Sequence, residues 1–251
     1  MSSSMYESRD RLSSQWARIG GGFSVAPAAE PVDVERLVAE SAQAAAQDHR
    51  LFFVSATWIG VHHHLVNARR LGRELETLSG LASAAAGAML SVANLVGQTP
   101  RLEAAMRNCT PLAEPRPLFD RIERNAVLRD AARDESHPAF VRWGLWNTDV
   151  TLKTDAVRPV RWILAHCPEL RVRALLGAGL DAEIVRAVLD EPRTIAAIAR
   201  ATGATYASAH EAAARLEARG ILDAPATGRG VALSPLIRSW LEVFPGALMP
   251  A

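Results

Sequence analysis

The chain has 251 residues, 49% of them apolar, and Lys plus Arg (28) nearly balances Asp plus Glu (27) for a net charge of +1. That length accommodates one large domain or two smaller ones with ordinary cores, and the charge balance excludes a whole-chain electrostatic case for nucleic acid. Two cysteines, Cys109 and Cys167, are too few for a secreted disulfide scaffold, and the opening MSSSMYESRD does not read as a signal peptide.

Residues 1–31 read as a weakly ordered arm, because GGGFSVAPAAEP has no periodicity. After Pro31 and Asp33, the spacing of Val34, Leu37, Val38, Ser41, Ala42 and Ala45 predicts a helix to about Gln47 or Asp48. Leu51 to Val54 suit either a short strand or the start of a buried helix, and helix is expected from Ala56 to about Leu78. Ala82 to Val96 is a small-residue helix, apolar nearly all round, which belongs in a core or at a subunit interface. No apolar run reaches ~20 residues without a polar interruption, so a cytoplasmic protein with no membrane partner is expected. A short helix RLEAAMRNC, a proline-rich connector and a helix over about Leu118 to Arg133 follow. Residues 32–140 therefore read as one helical module.

Residues 141–180 form a Trp- and Arg-rich segment with Trp143, Trp146 and Trp162. Its rings suit docking of a linker between two domains, or stacking on bases or a ligand. Val150–Lys153 alternates like a short extended piece, and Pro159 and Pro168 can each open a helix.

Residues 181–251 carry three short helical patterns, a hairpin pattern and a last helix. Asp181 is the expected N-cap of AEIVRAVLDE. Thr194 precedes IAAIARATG, with Gly203 as the stop, and Thr205 caps YASAHEAAARLEARG. Ile221–Leu222 and Val231–Leu233 are strand pieces around a loop from Pro225 to Gly230, and Pro235 opens LIRSWLEVF. The fold class expected is mainly α, a helical N-terminal module followed by a winged helix-turn-helix domain with a small β hairpin. Ile198–Ala199, Gly203, Thr205 and Leu216 with Gly220–Ile221–Leu222 resemble the winged helix-turn-helix domains of the bacterial MarR and ArsR regulator superfamily. The resemblance covers residues 181–235 alone.

That resemblance implies double-stranded DNA as the partner and a homodimer as the working unit. In the third helix Ala209, Ala212, Ala213 and Leu216 share one face, with Ser208, Glu211 and Arg215 opposite. The candidate DNA-contacting residues are Thr205, Tyr206, Ser208, His210 and Arg215 on the helix and Arg229 in the wing. Arg171 and Arg173 upstream are candidate supplements. Against this, residues 181–251 hold 7 basic and 8 acidic side chains, and Glu211 lies in the groove-facing arc. The alternative is a non-catalytic interaction or scaffold protein that uses the winged helix for packing, with a protein partner at the N-terminal module.

No enzyme, cofactor or metal site is expected. Consecutive residues His62, His63 and His64 are turned about 100° apart on a helix and cannot converge on one ion. His166 and Cys167 diverge for the same reason. GGG at 20–22 lacks the Lys and the Ser or Thr of a phosphate loop.

Overall fold

The computed structural model describes residues 2–97, 99–224 and 230–243. The described chain is predominantly helical, with two minor two-stranded β pairings. It divides into two compact units, Met1–Val160 and Arg161–Ala251.

The first unit begins with α1 (Ser2–Arg18), where the sequence suggests a weakly ordered arm. Leu12, Trp16 and Ile19, spaced at helical intervals, are all within 1% of full burial. The Trp16 indole donates to Ser41 Oγ at 2.8 Å, and the Trp58 indole donates to the Ile19 carbonyl at 2.7 Å. Both hydrogen bonds join residues at least 25 positions apart, so local periodicity cannot reveal what orders this segment.

Next come α2 (Val34–Ala44), α3 (His49–His62), α4 (Ala68–Glu76), α5 (Gly80–Gly97) and α6 (Pro100–Met106). The caps are side-chain oxygens: Asp33 accepts from Arg36 N–H, Asp48 from Leu51 N–H and Asn67 from Arg69 and Arg70 N–H. Leu51–Val54 is helical, inside α3. The α3–α5 contact is close because it is built on small residues. A Cβ at Gly60 would sit 2.6 Å from the Ala93 carbonyl oxygen, and one at Gly87 would sit 2.5 Å from the Trp143 ring. By length and hydropathy α5 could cross a bilayer; within this unit it is a core helix, with Ser83–Leu90, Val92 and Ala93 buried.

After α6 the chain makes β1 (Arg116–Pro117), α7 (Asp120–Glu123), α8 (Ala126–Asp134), α9 (Pro138–Val141) and β2 (Leu145–Trp146). The strands pair in parallel, Arg116 with Leu145 and Pro117 with Trp146. The expected helix from Leu118 to Arg133 is thus two helices, broken where Asn125 caps α8. Residues 150–153 form no strand; Lys153 N–H instead donates to buried Thr57 Oγ1 at 2.9 Å. The boundary between the two units falls inside the Trp- and Arg-rich segment. Trp143 is buried against α5 and donates to Ser91 Oγ at 2.8 Å, whereas Trp162 belongs to the second unit.

The second unit comprises α10 (Val160–His166), α11 (Pro168–Leu176), α12 (Leu180–Ala187), α13 (Ile195–Thr202), α14 (Tyr206–Ala218), β3 (Leu222–Asp223), β4 (Ala232–Leu233) and α15 (Pro235–Val243). Its core gathers Ile184, Val185 and Val188 with Ile198, Ala209, Ala212, Ala213, Leu216, Leu222, Val231 and Leu233. β3 and β4 are antiparallel, Leu222 opposite Leu233 and Asp223 opposite Ala232. The sheet gains a third piece just before α13, where Arg193 and Val231 exchange both backbone hydrogen bonds at 3.0 and 2.9 Å. Gly230 sits at φ 132°, and a Cβ there would run into the Arg193 carbonyl.

Candidate nucleic-acid interface

Local chemistry sets the two helices around the turn. Thr194 caps α13 through the Ala197 N–H. Gly203 ends it in the left-handed region at φ 63°, a conformation that favours glycine. One residue later Thr205 caps α14 by accepting from Ser208 N–H at 3.1 Å. The Thr205 hydroxyl also donates to Ser208 Oγ at 2.9 Å, so these two candidate donors are hydrogen-bonded to each other.

Helix α14 is one-sided. Ala209, Ala212, Ala213 and Leu216 are buried, and Thr205, Tyr206, His210, Glu211, Ala214 and Arg215 are exposed, with Ser208 at the boundary. Tyr206 is 59% exposed, high for so large a ring. Its ring lies 6.2 Å from that of His210 with 22° between planes, one helical turn apart. The sequence-predicted helix candidates Thr205, Tyr206, Ser208 and His210 thus share the first two turns of α14. Arg229, the wing candidate, lies outside the described residues.

The basic candidates fare differently. Arg215 Nη2 lies 2.9 Å from Asp181 Oδ1, and its Nη1 lies 3.5 Å from Glu211 Oε1. Arg219 is 4.0 Å from the other Asp181 oxygen. Asp181 is not the N-cap of α12. The helix starts at Leu180 with Gly179 in the capping position, which places Asp181 in the first turn. Arg171 and Arg173 cannot supplement phosphate contacts as they stand, because both are buried. Arg171 donates to the carbonyls of Leu164, Ala165 and Leu241, and burial lowers its pKa. Arg173 Nη2 is 2.7 Å from Glu183 Oε1, with side chains 1% and 7% exposed. Arg200 of α13 was not singled out by the sequence: it is exposed and has no carboxylate partner among the described residues.

Among the described residues no three His, Cys, Asp or Glu side chains gather as a metal site. α3 ends at His62, which is buried with Nε2 3.0 Å from the Arg158 carbonyl. Burial pushes its pKa down to about 4. Cys109 is a buried thiol pushed up to about 11 by desolvation, far from a reactive thiolate. Compared with family models, curated proteins and solved structures, the chain matches none.

Proposed function

We propose that residues 180–243 form a winged helix-turn-helix that binds duplex DNA, and that the chain is a transcriptional regulator working as a homodimer. The observation that carries this reading is the uncovered outer face of the first two turns of α14. A recognition helix seats that half in the major groove. The order α12–α13–α14–β3–β4, with the Arg193–Val231 bridge adding an edge to the hairpin, supports the winged arrangement. So does the likeness to MarR- and ArsR-type domains in Gly203, Thr205 and Leu216. Tyr206 and His210 would meet base edges or sugar, Thr205 and Ser208 would meet phosphate, and Arg200 would supply charge. The helical first unit would then sense a signal or hold the dimer together, in the cytoplasm.

A second reading, a non-catalytic protein-interaction module, is favoured by one observation. Asp181 and Glu211 neutralise Arg215, so α14 offers little net positive charge. The two separate on salt. Duplex binding through phosphates weakens as salt rises, with a log–log slope of about −0.9 per phosphate contact. Fluorescence anisotropy of a labelled duplex across a salt series should show that slope, and Arg200→Ala should reduce it by about one contact. A packing module would give no saturable duplex binding at any salt.

A further inference from the structure

In the first unit, an open cleft of about 680 Å³ lies between α1, the α2–α3 connection and α7. Four arginines line it: Arg9 and Arg11 from α1, Arg121 from α7 and Arg124 just after it. The acids beside α1 are already engaged. Glu40 accepts from Arg11 and Arg36, each at 2.8 Å. Asp48 is buried, caps α3 through Leu51 N–H, and pairs with Arg9 at 2.5 Å. At the α7 end the situation differs. Arg121 makes no ion pair among the described residues and rests over the Phe119 ring at 5.9 Å. Arg124 meets Asp120 only at 3.7 Å, with 79% of its side chain exposed. The His49 ring, held between Phe53 and Phe119 at 4.7 and 4.8 Å, adds an aromatic wall, and exposed Tyr6 adds another ring. Burial, and next the Arg121 cation, keep His49 below the ordinary imidazole range despite Asp149, so the positive charge here is guanidinium.

From this juxtaposition we infer that the cleft binds a phosphorylated small molecule of nucleotide size, its phosphate on Arg121 and Arg124 and its ring or sugar against Tyr6 and His49. Guanidinium forks match phosphate oxygens and need not be stripped from a partner when Arg121 is the contact. The volume exceeds what a bare ion needs and falls in the range of small-molecule clefts. Ring surfaces beside the cations give the body of such a ligand somewhere to stack. This inference stands apart from the DNA reading, since all its residues belong to the first unit.

The test is isothermal titration of the full-length chain with AMP, GMP, CMP, ribose 5-phosphate and inorganic phosphate. At least one nucleotide should bind saturably and at least about tenfold tighter than inorganic phosphate, a separation that stacking on one ring supplies. Arg121→Ala with Arg124→Ala should weaken it by about tenfold or more, at an unchanged melting temperature. Arg121→Lys should recover only part of the loss. Ribose 5-phosphate matching the nucleotides would assign recognition to phosphate and sugar and keep the site. The inference fails if no organic phosphate binds, if inorganic phosphate binds equally well, or if the double variant binds as the wild type does.

Discussion

Helices α5 and α14 are both rich in alanine and meet opposite fates. From Ser83 to Ala93 α5 is covered on nearly every side, Gly60 of α3 and Gly87 of α5 letting α3 and Trp143 come within contact of the helix. α14 buries Ala209, Ala212, Ala213 and Leu216 and leaves the rest of its first turns in water. Small side chains thus do two jobs. In α5 they permit close approach from all round, and packing is the whole of the helix's task. In α14 they seat one face tightly and leave the other free to meet something else.

The largest expected effect lies on the α5 side of that comparison. Leu90 is fully buried, so Leu90→Ala should destabilise the first unit by about 2–5 kcal/mol in chemical denaturation. On the outer face of α14, Tyr206→Ala should stay within about 0.5 kcal/mol of the wild type. A large loss at Tyr206 would show that this face is packed in solution and would erase the contrast.

Next in size is a pH effect in the first unit. The folded His62 pKa of about 4 lies below its ordinary 6.5. The unfolded chain therefore takes up the proton first, and stability falls as pH drops from about 6.5 toward about 4. The total loss is roughly 3 kcal/mol. His49 and His64 are depressed in the same direction, so His62→Gln should shrink the acid loss without abolishing it. A His62→Gln profile parallel to the wild type would remove this assignment.

Smaller effects concern α14 itself. Thr205→Ala deletes the cap on Ser208 N–H and should cost about 1 kcal/mol in thermal or chemical unfolding; Thr205→Ser should restore most of it. Asp181→Asn frees Arg215 and Arg219 from a shared carboxylate. It should tighten duplex binding by a few-fold, about the worth of an exposed ion pair, with little change in stability. Unchanged or weaker binding would mean that those arginines do not meet phosphate.

Sequence alone made the second unit more legible than the first. Capping oxygens at Thr194 and Thr205, the glycine stop at 203 and the proline starts at 168 and 235 are local signals, and each marks an observed helix boundary. α1 escaped because its order comes from distant partners, Ser41 and Trp58. The roles of the arginines were equally hidden. Burial beside Glu183 withdraws Arg173, and Asp181, two residues past the observed cap at Gly179, pairs with Arg215. Charge counts along a chain cannot tell a cation facing water from one enclosed by carbonyls and carboxylates.

Whether the free face of α14 meets duplex DNA, as proposed, is tested by anisotropy of a labelled duplex titrated with wild type and with Tyr206→Ala/His210→Ala across a salt series. The wild type should bind saturably and with salt sensitivity. The double variant should lose at least about tenfold in affinity at an unchanged melting temperature. Equal affinity of the two proteins at every salt concentration, or no binding by either, would contradict the proposal.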